Sequence, residues 1–340
     1  MAKLTLLSYG GGQQSTSLLH KYVYDAEFRK TYAPERYLVA MADTGAEHPE
    51  TYEHVRYTQE FCDKHGIEFH HVTAALGYHT GDWRGGLMGM FAAKSVITSA
   101  AFPMASCTMS LKVSPLYKWF EDWIAREYGF EAGEKKALKA YAKTFGEKIS
   151  VQIGFGLGEE SRAGRALDAQ TAFAFHCDAK RSDPIWMQES IEKTFPLIDI
   201  GFDRTASQEY TRSVGEPVPW PSACFACHWK SDFDVLWTLL RYPDLFARWE
   251  EAEDRKLRDW ADETFRRARQ KKNFQPNGVY KNSPVGGKHD ENGNPIRLRQ
   301  RAQTASLELT RLGVRTEAEQ LAWLNERRMR DGHGVRSRAA

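Results

Sequence analysis

A glycine-rich turn near the start of the chain is the strongest constraint on what this sequence can fold into. Ser8-Tyr9-Gly10-Gly11-Gly12-Gln13-Gln14-Ser15-Thr16 follows an apolar run at 4–7 that reads as a buried strand, and precedes 17–23, which reads as a helix. Strand, glycine turn and helix N-terminus together form the geometry of an anion site. Glycines let the backbone approach closely and turn several N–H groups toward one spot. The helix dipole adds partial positive charge there, and Ser15 and Thr16 are able to cap the helix or donate to a phosphate. No Lys follows the last glycine, so the spacing is not that of a Walker A loop. A tight strand-to-helix turn with no ligand remains the bland alternative.

The first part of the chain repeats this alternation. Residues 37–42 and 67–72 are further apolar runs, and 54–65 reads as a helix that Gly66 caps. Such alternation predicts an α/β fold: a parallel twisted sheet with helices on both faces, its ligands at the carboxyl ends of the strands. The Gly10 turn and Asp43 both follow such ends. Residues 77–105 are rich in glycine and small side chains and read as a mobile loop over the site. Residues 112–148 read as helix and 150–155 as strand; 195–198 opens another ordered segment. Pro217 to Pro221 marks a change of organisation, 233–269 is strongly helical, and glycine, asparagine and proline accumulate from 271 to 295. A short amphipathic helix is expected at 317–329. The expected domains are a nucleotide-binding α/β domain at 1–215, a segment with two cysteines and a charged helix at 216–270, and a basic, partly loop-like region at 271–340.

The 340 residues suffice for one large domain with additions or for two, and no stretch of about 18 apolar residues suggests a membrane span. With no signal peptide read at the N-terminus, the expectation is a cytoplasmic protein. Residues 254–340 hold 20 Lys and Arg against 11 Asp and Glu, a net +9, so the preceding part carries −7. A basic end beside an acidic remainder points to nucleic acid as a partner; a solvated tail is the alternative. Trp237, Phe246, Trp249 and Trp260 are spaced to stack on bases, but at helical spacing they read first as core. The cysteines are Cys62, Cys107, Cys177, Cys224 and Cys227, an odd count that argues against a disulfide framework.

Four local patterns, in order across roughly 4–230, resemble one family. The Gly10–Ser15 turn is similar to the pyrophosphate-binding PP-loop, usually SGGxDS. Asp43-Thr44-Gly45-Ala46-Glu47-His48-Pro49-Glu50-Thr51 resembles the DTG-x-x-x-PET segment of the phosphoadenosine phosphosulfate reductase branch. Residues 106–116, with Cys107, Lys112 and Pro115, resemble that branch's Cys-x-x-x-x-Lys-x-x-Pro element, and 154–162 its Glu-Ser-x-x-Arg element. The resemblance implies an adenine-nucleotide-binding domain that takes ATP or a sulfonucleotide. Ser8, Gly10, Gly11, Gly12, Gln14, Ser15, Thr16, Asp43, Thr44 and Gly45 would then hold the nucleotide. Asp43 would meet a nucleotide hydroxyl or Mg²⁺, and Lys112 and Arg162 would neutralise charge on phosphate, with Cys107 beside them. One position departs from the family: Gln14 stands where the PP-loop has Asp, which leaves Asp43 or Glu47 to carry the metal.

Cys224-Phe225-Ala226-Cys227 is a C-x-x-C pair, a spacing at which two thiolates on a turn converge on one ion. The resemblance brings Cys107 toward the nucleotide. On that reading Cys107, Cys224 and Cys227 hold a [4Fe–4S] cluster with one open iron, as in tRNA- and DNA-sulfurating relatives, or Zn²⁺ with His228 or His176. Cys62 and Cys177 read as core or incidental residues. No cysteine follows Cys227, so the thiol through which sulfonucleotide reductases act is missing. The first expectation is therefore an enzyme that adenylates a nucleic acid or nucleotide with ATP and then transfers sulfur, with a sulfur-donor protein as a further partner. A sulfonucleotide reductase with an unusual thiol arrangement, and a nucleotide-responsive nucleic-acid-binding protein without turnover, are the alternatives.

Overall fold

The computed structural model describes residues 3–98, 107–167, 183–270 and 284–332. The chain divides into two compact units, Met1–Thr80 with Ser106–Ser222, and Gly81–Ala105 with Ala223–Ala340. The second unit thus takes in 81–105 and joins the stretches read from the sequence as separate segments after residue 222.

The first unit is a five-stranded sheet of β1 (Leu4–Ser8), β2 (Arg36–Ala42), β3 (Glu68–Val72), β4 (Ile149–Ile153) and β5 (Ile191–Thr194), in the order β3-β2-β1-β4-β5. Every pairing is parallel. Side chains alternate across a strand, and this sheet is apolar on both faces. Leu4, Leu6, Leu38, Ala40 and Val151 pack under the Ser114–Tyr128 and Lys136–Phe145 helices, with Trp119, Phe120 and Ile124. Leu7, Tyr37, Val39 and Met41 face the other way, onto Leu18, Leu19, Val55 and Phe61 of the Gln13–Tyr24 and Pro49–Lys64 helices. The chain builds β2 and β3 outward on one side of β1, then β4 and β5 on the other. Strand order reverses between β1 and β4, and the crevice beyond their carboxyl ends is where open parallel sheets bind ligands.

The structure breaks two stretches read as continuous helix. Residues 112–148 form the Ser114–Tyr128 and Lys136–Phe145 helices, parted at Gly129, whose φ of 71° ends the first one. The 233–269 stretch is cut at Pro243, since a residue before proline leaves the helical region and Tyr242 sits at φ −138°. β5 lies just before the 195–198 segment, which is itself a short helix, Pro196–Asp199.

The second unit is helical: Gly86–Lys94, Asp232–Arg241, Pro243–Ala261, Glu263–Gln270, Leu298–Arg311 and Glu317–Asp331. The expected loop at 77–105 therefore contains a helix, and 99–105 of it lie outside the described residues. Trp237, Phe246, Trp249 and Trp260 are buried, in agreement with the core reading. Much of the unit's positive charge is paired within it. Arg297 meets Asp254, Arg299 meets Glu250, and the buried Arg301 and Arg328 meet Asp232 and Asp234. No helix among the described residues is long and apolar enough to cross a membrane.

Candidate nucleotide site

The glycine turn sits at the strand-order reversal. Tyr9 N–H still donates to Ala40 O at 2.8 Å, extending the ladder beyond Ser8. Gly11 then takes φ 67°, and Gly12 is the extended cap of the Gln13–Tyr24 helix. Ser15 Oγ staples the turn, accepting from Gly10 N–H at 3.2 Å and donating to Gly12 O at 3.1 Å. The N–H groups of Gly11, Gly12, Gln14 and Ser15 find no acceptor among the described residues. Four such amides at a helix start make a cradle for an anion.

The glycines are needed for space. A Cβ on Gly11 would stand 3.0 Å from Thr51 Cγ2, and one on Gly154, at the end of β4, 2.9 Å from Ser15 N. A Cβ on Gly156 would stand 2.7 Å from Gln14 Nε2. The turn is thus clamped between β2 and the loop after β4.

Thr16 faces inward. Its hydroxyl is 2.8 Å from Tyr9 OH and 2.9 Å from His54 Nε2, and Tyr9 OH also meets Thr58 Oγ1 at 2.8 Å. This buried chain ties the turn to the Pro49–Lys64 helix. Burial pulls His54 and His20 each down to about 4; His20 acts in the same sense on His54, while on His20 the Glu216 carboxylate opposes burial and His65 adds to it. Both histidines are therefore neutral in the folded protein between pH 4 and their ordinary 6.5, while the unfolded chain binds protons there. Stability is fully present above pH 6.5 and is lost as pH falls toward 4, by up to about 1.4 kcal/mol per pH unit per histidine. Urea midpoints between pH 7 and 4.5 are expected to show this decline, and His54→Gln to flatten it.

Gln14 Nε2 donates to Glu159 Oε2 at 2.6 Å. The same carboxylate accepts from Gly156 N–H at 3.2 Å and pairs with Arg162, whose guanidinium lies 4.3 Å from the Phe155 ring centroid. Position 14 thus presents an amide bound to a carboxylate from the β4 side.

Beyond β2, Asp43 and Gly45 form an Asx turn. Asp43 Oδ1 accepts from Gly45 N–H at 2.8 Å and from Tyr52 OH at 3.0 Å. Burial, reinforced by the neighbouring Asp43 carboxylate, raises the Tyr52 phenol, so it remains a donor. Thr44 Oγ1 donates to Glu47 Oε1 at 3.2 Å, and Lys112 Nζ pairs with the same oxygen at 3.3 Å. Lys112 lies on a π-helical turn, Thr108–Val113, with Cys107 just before it. Such turns gather at functional sites. His79, buried, places Nε2 3.0 Å from Asp43 O and 3.2 Å from Leu111 O, fastening the Asp43 loop to the π turn. His79→Ala removes the donor from two interior carbonyls and is expected to lower unfolding stability by about 1–3 kcal/mol in urea titrations.

A cavity of about 170 Å³ opens beside the turn. Ser8, Tyr9 and Gly10 form one wall, Met41 and Ala42 another, and Val151, Ile153, Leu116, Met109 and Met187 most of the rest. Lys112 and Lys193 are its charged lining residues. An apolar slot adjoining an amide cradle accommodates a flat, weakly polar ring whose substituent carries anionic groups.

Of the predicted residues, Ser8, Gly10, Gly11, Gly12, Gln14, Ser15, Thr16, Asp43, Thr44, Gly45, Lys112, Arg162 and Cys107 all fall in the first unit. Tyr52, His71, His79 and the carboxylate role of Glu159 escaped the sequence reading. Nothing local marks them, since each acquires its partner only through the fold.

Cys224 and Cys227 belong to the second unit. They form a tight turn, with Cys227 N–H donating to Cys224 O and Lys230 N–H to Cys227 O, both at 3.3 Å. Burial pulls the Lys230 ammonium down to about 7; Arg328 acts in the same sense, while Asp234, Cys227 and Cys224 oppose it. Among the described residues no group of three or more His, Cys, Asp or Glu is gathered as a metal site. The turn therefore offers two thiols, half the donor set of a cluster or structural zinc. Burial lowers the neighbouring His228 to about 4; His176 and Cys177 lie outside the described residues. Cys62 is core, and burial pushes its thiol up to about 12. None of the described cysteines is in a disulfide.

No family model and no curated protein matches the chain. Among solved structures it is similar to the U34-tRNA thiolase NcsA from Methanococcus maripaludis with its [4Fe-4S] cluster. That match has 11% identity and a TM-score of 0.38, and covers 75% of this chain and 73% of that one.

Proposed function

We propose that this chain is a PP-loop enzyme that binds ATP or a related adenylyl nucleotide and adenylates a nucleic-acid or nucleotide substrate for sulfur transfer. One observation carries the reading: the acceptor-less amides of Gly11, Gly12, Gln14 and Ser15 adjoin an apolar cavity at the strand-order reversal. The cavity takes the adenine, and the turn takes the terminal phosphates.

A substrate oxygen attacks the α-phosphorus, and the bond from that phosphorus to the bridging oxygen breaks. The electron pair leaves with pyrophosphate, whose charge the turn amides and Lys112 stabilise. Arg162 reaches the phosphates only by exchanging its pairing with Glu159. A sulfur nucleophile of the sulfide class then forms a C–S bond as the C–O bond breaks and AMP departs. Asp43 is the hard ligand for a divalent ion, which would offset phosphate charge when bound. The Cys224–Cys227 turn provides the thiols assigned to the sulfur step, and the basic 254–340 region the contact with nucleic acid.

Equilibrium dialysis is expected to show retention of ATP. Anaerobic incubation with ATP, Mg²⁺ and candidate RNA or DNA substrates should release pyrophosphate. Absence of both ATP retention and pyrophosphate release overturns the reading.

A further inference from the structure

The nucleotide reading needs a metal carrier, and position 14 does not supply one. Gln14 is neutral, and the nearby Glu159 carboxylate is already held by Gln14, Gly156 N–H and Arg162. The carboxylate with an open face is Asp43. Its Oδ1 is used by Gly45 N–H and Tyr52 OH, while Oδ2 accepts no hydrogen bond among the described residues. What stands opposite Oδ2 is His71 Nε2, at 3.7 Å. That is too long for a hydrogen bond. His71 Nε2 is shut off from solvent and has no hydrogen-bond partner among the described residues, a costly state for a ring nitrogen.

The backbone holds the two donors in place. Met41 pairs with His71 and Ala42 with Val72 along β2 and β3, and Asp43 N–H donates to Val72 O at 3.0 Å. The Asx turn and Tyr52 then fix the Asp43 carboxylate. Two donors each about 2.1 Å from one ion at the tetrahedral angle stand roughly 3.4 Å apart. The 3.7 Å gap between Oδ2 and Nε2 is within a few tenths of an ångström of the bite of a shared ion, and the site adjoins the glycine turn, since Gly11 packs on Met41 and Thr51.

On the nucleotide reading above, we propose that Asp43 Oδ2 and His71 Nε2 are the protein ligands of a divalent transition-metal ion whose remaining positions are filled by nucleotide phosphate oxygens and water. The imidazole ligand sets the preference. Mg²⁺ favours all-oxygen shells with water and phosphate, whereas Mn²⁺, Co²⁺ and Zn²⁺ accept a nitrogen donor and bind mixed sites more tightly.

The test is electron paramagnetic resonance of the full-length protein with Mn²⁺, alone and with ATP, read for ¹⁴N modulation from directly bound imidazole. ATP retention is measured separately by equilibrium dialysis in EDTA, so that failure of the nucleotide reading is seen independently of the metal. Wild type is expected to bind Mn²⁺ with nitrogen modulation, which an equal concentration of Mg²⁺ does not displace. His71→Gln should abolish the modulation and weaken Mn²⁺ binding about tenfold or more, with an unchanged melting temperature. Asp43→Asn should weaken binding while leaving the nitrogen signal of any Mn²⁺ that still binds. Three results overturn the assignment: Mn²⁺ bound without nitrogen modulation, modulation that survives in His71→Gln, or no Mn²⁺ retained with or without ATP.

Discussion

Gly154→Val is expected to unfold the first unit early and to abolish ATP retention together. Even the first atom of the new side chain would stand 2.9 Å from Ser15 N and 3.1 Å from Ser15 Cα, both backbone. Neither can swing aside as a flexible side chain does, so β4 or the start of the Gln13–Tyr24 helix must shift. Overpacking of this kind costs about 3 kcal/mol, toward the upper end of its usual range. At ~2–4 °C per kcal/mol for a unit of this size, the melting midpoint falls by about 6–12 °C. The displaced atoms include one of the amides of the anion cradle, so binding suffers beyond the loss of stability. Gly10→Ala is the control, because its Cβ meets only Ser15 Oγ, at an ordinary 3.8 Å. Its cost should stay below about 1 kcal/mol. Calorimetry and ATP dialysis on both variants decide the matter; a Gly154→Val protein that melts normally and retains ATP contradicts the packing described above.

Lys112→Met should slow pyrophosphate release by about 10²–10³-fold, the usual cost of removing one charge-stabilising group from a reacting centre. Affinity for ATP should change far less, since the turn amides and the cavity remain. The stability cost should be modest. Glu47 has a fully buried side chain, but that of Lys112 is 41% exposed, so solvent screens the pair and its loss costs about 1 kcal/mol. Lys112→Arg keeps the charge and should restore part of the rate. Single-turnover kinetics separate the step from binding. If Lys112→Met lowers the melting temperature yet turns over normally, Lys112 is only a tether between the π turn and the Glu47 loop.

The α/β architecture was legible because its signals are local. The apolar runs at 4–7 and 37–42 read as covered parallel strands, and the Gly10–Gly12 turn marks the first carboxyl end. β5 was not legible: Ile191–Thr194 is four residues long, and two of its members are the charged Glu192 and Lys193. Its strand character comes from pairing with β4. The helix breaks at Gly129 and Pro243 were written in residue type but masked by periodicity on either side.

The sequence by itself determined where an anion cradle would lie, because a glycine-rich turn between a strand and a helix leaves amides without acceptors whatever surrounds it. Only the tertiary structure decided which side chains face that cradle. It turned Thr16 inward onto His54, paired Gln14 with Glu159, closed Lys112 on Glu47 and set His71 across from Asp43. Those pairings join residues from 28 to 145 positions apart in the chain. The distant partners are fixed by strand register and helix packing, which no local propensity encodes.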